Sequence, residues 1–380
     1  MLYYNLLVTA VLFVLLLICI WNLYILRRNN YSPLSSFPFV SVLVPARNEE
    51  LNIRNVLTSL LEQNYPNYEV IVLNDSSEDK TGEIISGLKT KYPYLKVLNG
   101  KPLETGWTGK CFACKQLYEK SKGEYIIFTD ADTIHKKESI RGSVSIAQNT
   151  NADMLTLFPE MTLKSFAEKL MMPMLFFTIM MLLPVYFVDK KGFVKFSVGI
   201  GPFMMFRRSA YNAIGTHESV KSAIVEDVWL GRKIKEHGLK LTVADGFDIL
   251  SVRMYRNFKD IWNGFSKNIF AGFQYSSLSL FSVIGMYLLL FFVPFILFGY
   301  QLSLQLASGN ILILTGLQVF ILYITRFLIS ARFRLGFLSS ILHPLGALSV
   351  PVISFNSWVW IKFRAGAKWK GRVYKPAKKP

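Results

Sequence analysis

Leu6 to Leu26 reads LLVTAVLFVLLLICIWNLYIL, an apolar run without a single formal charge. Crossing the hydrocarbon core of a bilayer takes roughly 20 helical residues, so this stretch meets the length requirement by itself. A secretory signal peptide would show a cationic start, an apolar region of about 7–15 residues and a small-residue cleavage site. Here MLYYN carries no cation, the run is longer, and no such site follows. The reading is a retained N-terminal transmembrane anchor over residues 1–28. Arg27 and Arg28 close it, and the positive-inside rule then places the following chain in the cytosol.

Three more apolar blocks come late: Leu278 to Tyr300, Ile311 to Ile329, and Phe337 to Ile361, the last interrupted by Pro344 and Pro351. They define a C-terminal transmembrane region, 278–361, followed by a basic tail, 362–380. The linker QLSLQLASGN is uncharged and RFLISARFRLGF carries three arginines, so the first is expected outside and the second inside. The basic tail is also expected inside. A single crossing by the last block would put it outside, so a re-entrant hairpin broken near the prolines is expected there.

The chain is 52% hydrophobic with a net charge of +18. Because the cations cluster beside apolar segments, anionic lipids are the expected partner and nucleic acid is not. Cys111 and Cys114 have the spacing of half a zinc or redox site. No second pair or histidine pattern completes it, so they read as a reduced thiol pair on a helix.

Between Pro38 and about Leu155 short apolar strands alternate with amphipathic helices. VSVLV, YEVIVLND, LKVL and YIIFTDAD read as strands; LNIRNVLTSLLEQ and CFACKQLYEK read as helices. That order predicts an α/β fold, a parallel sheet covered by helices, within a cytosolic domain spanning 38–270. Ligands in such sheets bind beyond the carboxyl ends of the strands. Pro45 to Glu49, Asp75, and Asp130 with Asp132 all fall there. Two carboxylates at i and i+2 on a strand-end turn can address one hard cation, since Mg²⁺ takes one or two carboxylates plus substrate phosphates. Glu226 and Asp227 open a later amphipathic helix, where a helix N-terminus favours negative charge. TGWTGKC has glycines and Lys110 but not the spacing of a P-loop, and no dinucleotide fingerprint follows a strand. A glycine-rich turn with one lysine at a helix start can still meet a diphosphate.

Taken in order, PARNEE, NDSSED, GWTGK, DAD, GPFMMF, VEDVWLG, RMY and WKGRVY resemble family 2 glycosyltransferases with the Rossmann-like GT-A fold. GWTGKCFAC, HPLG and WKGRVY are similar to the membrane-bound branch acting on lipids such as carotenoid acids, hopanoids and ceramide. The resemblance implies a role for each matching residue. Ala46, Arg47, Glu49 and Asp75 would cradle the uridine of a UDP-sugar. Asp132, helped by Asp130, would hold Mg²⁺ or Mn²⁺ against the diphosphate. Asp227, with Glu226 beside it, would be the base of an inverting transfer. Lys110, Arg253 and Lys267 would meet the diphosphate or the acceptor. Processive members carry a Q-x-x-R-W element after the base; RMYRNFKDIWNGFSKN stands here instead, which implies a non-processive enzyme. Asn74 replaces the first carboxylate of the usual pair, leaving Asp75 alone.

Leu170 to Val188, LMMPMLFFTIMMLLPVYFV, is long enough to span. A crossing there would separate Asp130 and Asp132 from Glu226 and Asp227 by a bilayer, so an interfacial or re-entrant element broken at Pro173 and Pro184 is expected. Its methionines suit an adaptable entrance for a lipid acceptor. The expected activity is hexose transfer, with glucose favoured, from UDP to a membrane lipid such as a carotenoid acid. Polyprenyl phosphate or diacylglycerol as acceptor, and a non-catalytic membrane scaffold, are the alternatives.

Overall fold

The structure is a computed structural model and describes residues 1–26, 33–303, 309–364 and 367–374. Arg27, Arg28, half of the QLSLQLASGN linker and the end of the basic tail, on which topology expectations rested, lie outside the described residues.

The chain starts as α1 (Leu2–Ile25) and enters an alternating series. This comprises β1 (Val40–Ala46), α2 (Ile53–Leu61), β2 (Tyr68–Asn74), α3 (Thr81–Lys91), β3 (Lys96–Asn99), α4 (Gly109–Lys120) and β4 (Tyr125–Phe128). β5 (Thr133–His135), α5 (Ser139–Thr150), β6 (Met154–Phe158) and β7 (Glu160–Met161) follow, then α6 (Phe166–Met171) and α7 (Pro173–Leu182). The chain returns through β8 (Met204–Arg207), α8 (Arg208–Ala213), α9 (Glu226–Glu236), β9 (Leu241–Asp245) and β10 (Leu250–Val252). Helices α10 (Phe258–Gly272), α11 (Ser277–Phe291), α12 (Val293–Ser303), α13 (Asn310–Arg332), α14 (Phe337–Ile341) and α15 (His343–Phe363) precede a terminal hairpin, β11 (Ala367–Trp369) and β12 (Arg372–Tyr374).

Two compact units result. The α/β unit holds Leu26–Thr162 and Tyr186–Met254; the helical unit holds Met1–Ile25, Leu163–Val185 and the described residues from Tyr255 to Tyr374. Residues 163–185 and 255–270 thus group with the apolar helices, although the sequence places them inside the 38–270 domain.

In the α/β unit a seven-stranded sheet runs β3-β2-β1-β4-β8-β6-β9. Its core strands are buried almost throughout, as expected of strands covered on both faces. Ile53, Val56, Leu57, Leu60 and Leu61 of α2 supply one apolar stripe of the covering layer. The sheet is mixed where the sequence predicts a parallel one. β8 runs antiparallel to both β4 and β6, with Phe128 opposite Met204. Strand alternation could not reveal this, because β8 enters after the long excursion through α6 and α7. The reversal brings the residues just before β8 to the edge where β4 ends.

Among the described residues of the helical unit four stretches are long and apolar enough to cross a membrane: Leu2–Ile25, Ser277–Ser303, Asn310–Arg332 and His343–Phe363. Helix α1 is built into this unit rather than lying loose. Its buried Asn22 donates to Met180 O (2.9 Å) and Leu183 O (2.7 Å) and accepts from Val185 N–H (2.9 Å), closing the C-terminal end of α7. Gln318 of α13 donates to Asn5 O at 3.0 Å and to Thr9 Oγ1 at 3.0 Å. Where hydrocarbon surrounds helices, such polar pairs hold them together. Arg326, fully buried, donates to Pro173 O (3.2 Å) and Ser339 O (2.8 Å), tying α13 to α7 and α14.

The hairpin expected at 337–361 does not form. Helix α15 runs unbroken for 21 residues, with Pro351 inside it and Pro344 in its first turn. A proline at a helix start gives up no hydrogen bond, and transmembrane helices tolerate an interior one. Residues 166–182, by contrast, form two helices of 6 and 10 residues, each too short to span. They meet at Pro173, and α7 stops at Leu183, before Pro184.

Candidate active site

β1, β2 and β4 are parallel neighbours and end along one edge of the sheet, where the chain has placed its polar turns. Ala46 pairs with Asn74, and its carbonyl accepts from Asp75 N–H at 2.8 Å. Arg47 reaches across: Nη1 donates to Asp75 O (2.8 Å) and Ser76 O (2.9 Å), and Nη2 pairs with Glu78 (3.1 Å). Asn48 and Ser76 adopt left-handed backbone with φ 51° and 52°, the tight bends by which both loops turn back toward each other. Glu49 donates its N–H to Thr81 Oγ1 at 2.7 Å and accepts from Asn52 at 2.9 Å. Asp75 is buried in this stitched pair of loops. Ala46, Arg47, Glu49 and Asp75 are therefore brought together at this edge.

The second group is centred on Lys110, in the first turn of α4 after the N-cap Thr108. A cation at a helix N-terminus opposes the macrodipole; three carboxylates offset that. Lys110 Nζ lies 2.6 Å from Asp130 Oδ1 and 2.7 Å from Glu226 Oε1. The second contact is an ion pair without hydrogen-bond geometry, so buried Oε1 of Glu226 accepts no hydrogen bond. Burial works against the charge on Lys110, but Asp130, Glu226 and Asp227 outweigh it and hold the ammonium protonated well above the usual lysine range.

Asp227 sits beside Glu226 in the first turn of α9, half-buried. Its Oδ2 accepts from Gly201 N–H at 3.0 Å and its Oδ1 from Val228 N–H at 2.8 Å. Burial and then the Glu226 charge push its carboxyl up to about 7, against the pull of Lys110 and the Val228 N–H. A carboxyl titrating near neutrality can take a proton at working pH.

Gly201 is the residue that sequence reasoning missed as part of the site. A methyl group there would stand 3.2 Å from Asp130 Oδ2, 3.3 Å from Asp227 Oδ2 and 3.4 Å from Lys110 Nζ, so the three side chains converge on the space a Cβ would fill. Gly199 is tighter: its Cβ would lie 1.9 Å from Asp227 O. The available signal was the G-x-G just before PFMM. Thr129 Oγ1 donates to Pro202 O at 2.8 Å, fastening this turn to the end of β4. Lys235 fastens the loop upstream by donating to Phe187 O (2.7 Å) and Val188 O (3.0 Å).

Asp132 follows Asp130 on the turn between β4 and β5. β10 pairs with β5 so that Val252 faces Thr133, and Arg253 therefore continues the strand running beside the Asp132 turn. Lys267 lies on α10 of the helical unit. Cys111 and Cys114 point into the core, fully buried as free thiols, and burial raises the Cys111 thiol far above the usual range. Among the described residues no three His, Cys, Asp or Glu groups gather as a metal cage.

This site can carry one proton on Asp227 and hold a fixed cation on Lys110, with Asp130 and Asp132 on the adjoining turn. Residues 41–215 match the family described as glycosyl transferase family 2. A 4,4'-diaponeurosporenoate glycosyltransferase of Staphylococcus aureus strain MRSA252 is 29% identical over 355 residues, covering 89% of this chain and 89% of the relative. The corresponding protein of strain USA300 is 28% identical over 352 residues. Among solved structures, the mannosyltransferase PcManGT from Pyrobaculum calidifontis superposes with a TM-score of 0.55 at 14% identity, over 94% of this chain and 98% of that one. At that identity the likeness concerns the fold, a GT-A-like α/β architecture. The chain is thus a glycosyltransferase whose residues 41–215 match glycosyl transferase family 2, and it carries helices long and apolar enough to cross a membrane.

Proposed function

We propose that the protein moves a hexose, glucose being the favoured sugar, from a UDP-sugar to a membrane lipid with a long apolar body, such as a carotenoid acid, by a non-processive, inverting displacement. The observation that carries this reading is Asp227: a carboxylate with a proton affinity near neutral pH, oriented by two backbone N–H groups beside a fixed cation. The relatives named for a carotenoid-acid substrate support the acceptor class.

In this reading the Arg47–Asp75 loops receive the nucleoside, and Lys110 and Arg253 face the diphosphate. One bond forms between the acceptor oxygen and the anomeric carbon while the bond from that carbon to the diphosphate oxygen breaks. If the acceptor is a hydroxyl, its proton passes to a carboxylate oxygen of Asp227. A carboxylic acid arrives ionised and asks only for orientation. Asp130 and Asp132 are hard oxygen donors whose number suits Mg²⁺ or Mn²⁺ only when phosphate oxygens and water complete the shell. Such a cation would neutralise charge developing on the leaving diphosphate. The structural neighbour in complex with GDP-Man and Mn²⁺ is compatible with that role.

The α/β unit faces the cytosol in this proposal, with basic segments against anionic lipid. Crossing by Ser277–Ser303, Asn310–Arg332 and His343–Phe363 would carry the basic tail to the opposite face, so reporters fused at the C-terminus and within the α/β unit test the topology. Donor use is tested with the purified protein, UDP-glucose and Mn²⁺: release of UDP supports the reading, and no turnover with any UDP-hexose contradicts it. The match of residues 41–215 to glycosyl transferase family 2 and the names of the relatives weigh against the scaffold alternative.

A further inference from the structure

One of the two carboxylates expected to hold a divalent cation, Asp130, already has a cation on it. Lys110 Nζ is 2.6 Å from Asp130 Oδ1, a close ion pair. The same ammonium is 2.7 Å from Glu226 Oε1. It stands on the rigid first turn of α4, where Thr108 caps the helix and donates its backbone N–H to Lys221 O at 2.7 Å. Lys110 is therefore fixed across from the Asp130 turn rather than arriving by chance on a mobile loop. Among the described residues no three His, Cys, Asp or Glu side chains are arranged to hold a metal ion by themselves.

We infer that Lys110 is a positioning residue that occupies Asp130 in the ligand-free enzyme, so that a divalent cation binds strongly only together with a nucleoside diphosphate. The inference rests on the metal-dependent reading above and adds to it an order of assembly.

The physical argument is competition between two cations for one carboxylate. A free Mg²⁺ or Mn²⁺ must displace the ammonium from Asp130 and leave it beside Glu226 and Asp227 with one counter-charge fewer. A diphosphate changes both sides of that exchange. It brings oxygen ligands for the cation, and it offers Lys110 a new anion in place of Asp130. Binding of the two ligands is then positively coupled, and the coupling is reciprocal: each tightens the other by the same factor. The Glu226 contact keeps the ammonium in the site through the exchange.

Mn²⁺ binding followed by electron paramagnetic resonance, with and without UDP, tests this on the full-length protein in detergent. Wild type should bind Mn²⁺ at least about tenfold more tightly when UDP is present. Lys110→Met should bind Mn²⁺ alone more tightly than wild type alone, and UDP should then add only a small further tightening. A merely structural lysine would weaken Mn²⁺ binding, or leave it unchanged, when removed. The inference is overturned if wild type binds Mn²⁺ equally with and without UDP, or if Lys110→Met shows no gain without UDP while its melting temperature matches wild type. Should Lys110→Met melt early, Lys110→Gln repeats the comparison, and the wild-type titration stands as a test by itself. If wild type binds no Mn²⁺ even with saturating UDP, the metal-dependent reading fails instead, which separates the two failures.

Discussion

The backbone N–H of Gly201 donates to Oδ2 of Asp227 at 3.0 Å, and the missing side chain of that glycine is the space on which Asp130, Asp227 and Lys110 converge. The glycine does not have positive φ, so alanine is allowed by the backbone. Its methyl would press on three flexible side-chain ends at 3.2–3.4 Å. Gly201→Ala is expected to fold with a melting temperature close to wild type and to lose at least about tenfold in turnover, the result of displacing a positioned group by a fraction of an ångström. Gly199→Ala should behave differently. Its Cβ would meet the Asp227 carbonyl at 1.9 Å, and the expected outcome is poor yield and early melting. Thermal denaturation beside UDP release distinguishes the two.

Asp227→Asn separates stability from activity. In the folded protein the carboxyl titrates up to about 7; in the unfolded chain it titrates near ~3.9. Between those values the folded state holds more protons, so the group's contribution to stability falls as pH rises and stays lowered above about 7. Asparagine removes that dependence. The variant should melt higher than wild type at pH 8 and no higher at pH 4. With a hydroxyl acceptor, wild-type kcat/KM should fall tenfold per pH unit below about 7, and the variant should lose roughly 10²–10⁴-fold. A much smaller loss would identify a carboxylic acid acceptor.

Glu226→Gln removes a negative neighbour that raises the Asp227 carboxyl. The acid limb of the pH–rate profile should move to lower pH. A limb that stays in place would show that Asp227 is not the group being titrated.

Arg47→Lys keeps the charge and loses the fork that holds Asp75 O and Ser76 O. Losing one such bond is worth about 1 kcal/mol, so UDP should bind several-fold more weakly by calorimetry. The overall fold should not change.

Asn22→Val tests whether α1 is structural. Three hydrogen bonds join it to the end of α7, and leaving those buried groups unpaired costs about 1–3 kcal/mol. The detergent-solubilised variant should melt several degrees lower.

Much of this architecture could be read from local patterns. Apolar runs ending in carboxylates announced β1, β2 and β4, because strand period and turn chemistry act over a few residues. The Arg47–Asp75 loops followed from the same signal. What stayed hidden depends on contacts distant in sequence. Asp130 and Glu226 share Lys110 only after the reversal of β8, which no local period encodes. Gly201 matters for the atoms it lacks, and a G-x-G by itself has many explanations. The hairpin expected near Pro344 and Pro351 overweighted the proline rule: in α15 one proline sits where no donor is lost and the other is carried inside an unbroken helix. The polar ties of Asn5 and Asn22 were equally silent, since two amides in an apolar run do not say which helix they will meet.

Glycolipid formation tests the account most directly. Membranes containing the wild type, or an Asp130→Asn/Asp132→Asn variant of equal abundance, are given UDP-glucose and Mn²⁺, and the extracted lipids are compared by mass spectrometry. A hexose-bearing lipid made by the wild type and absent with the variant is the predicted result. Equal amounts of it from both proteins would contradict the role assigned to the acidic turn, and none from either with any UDP-hexose would contradict the proposed reaction.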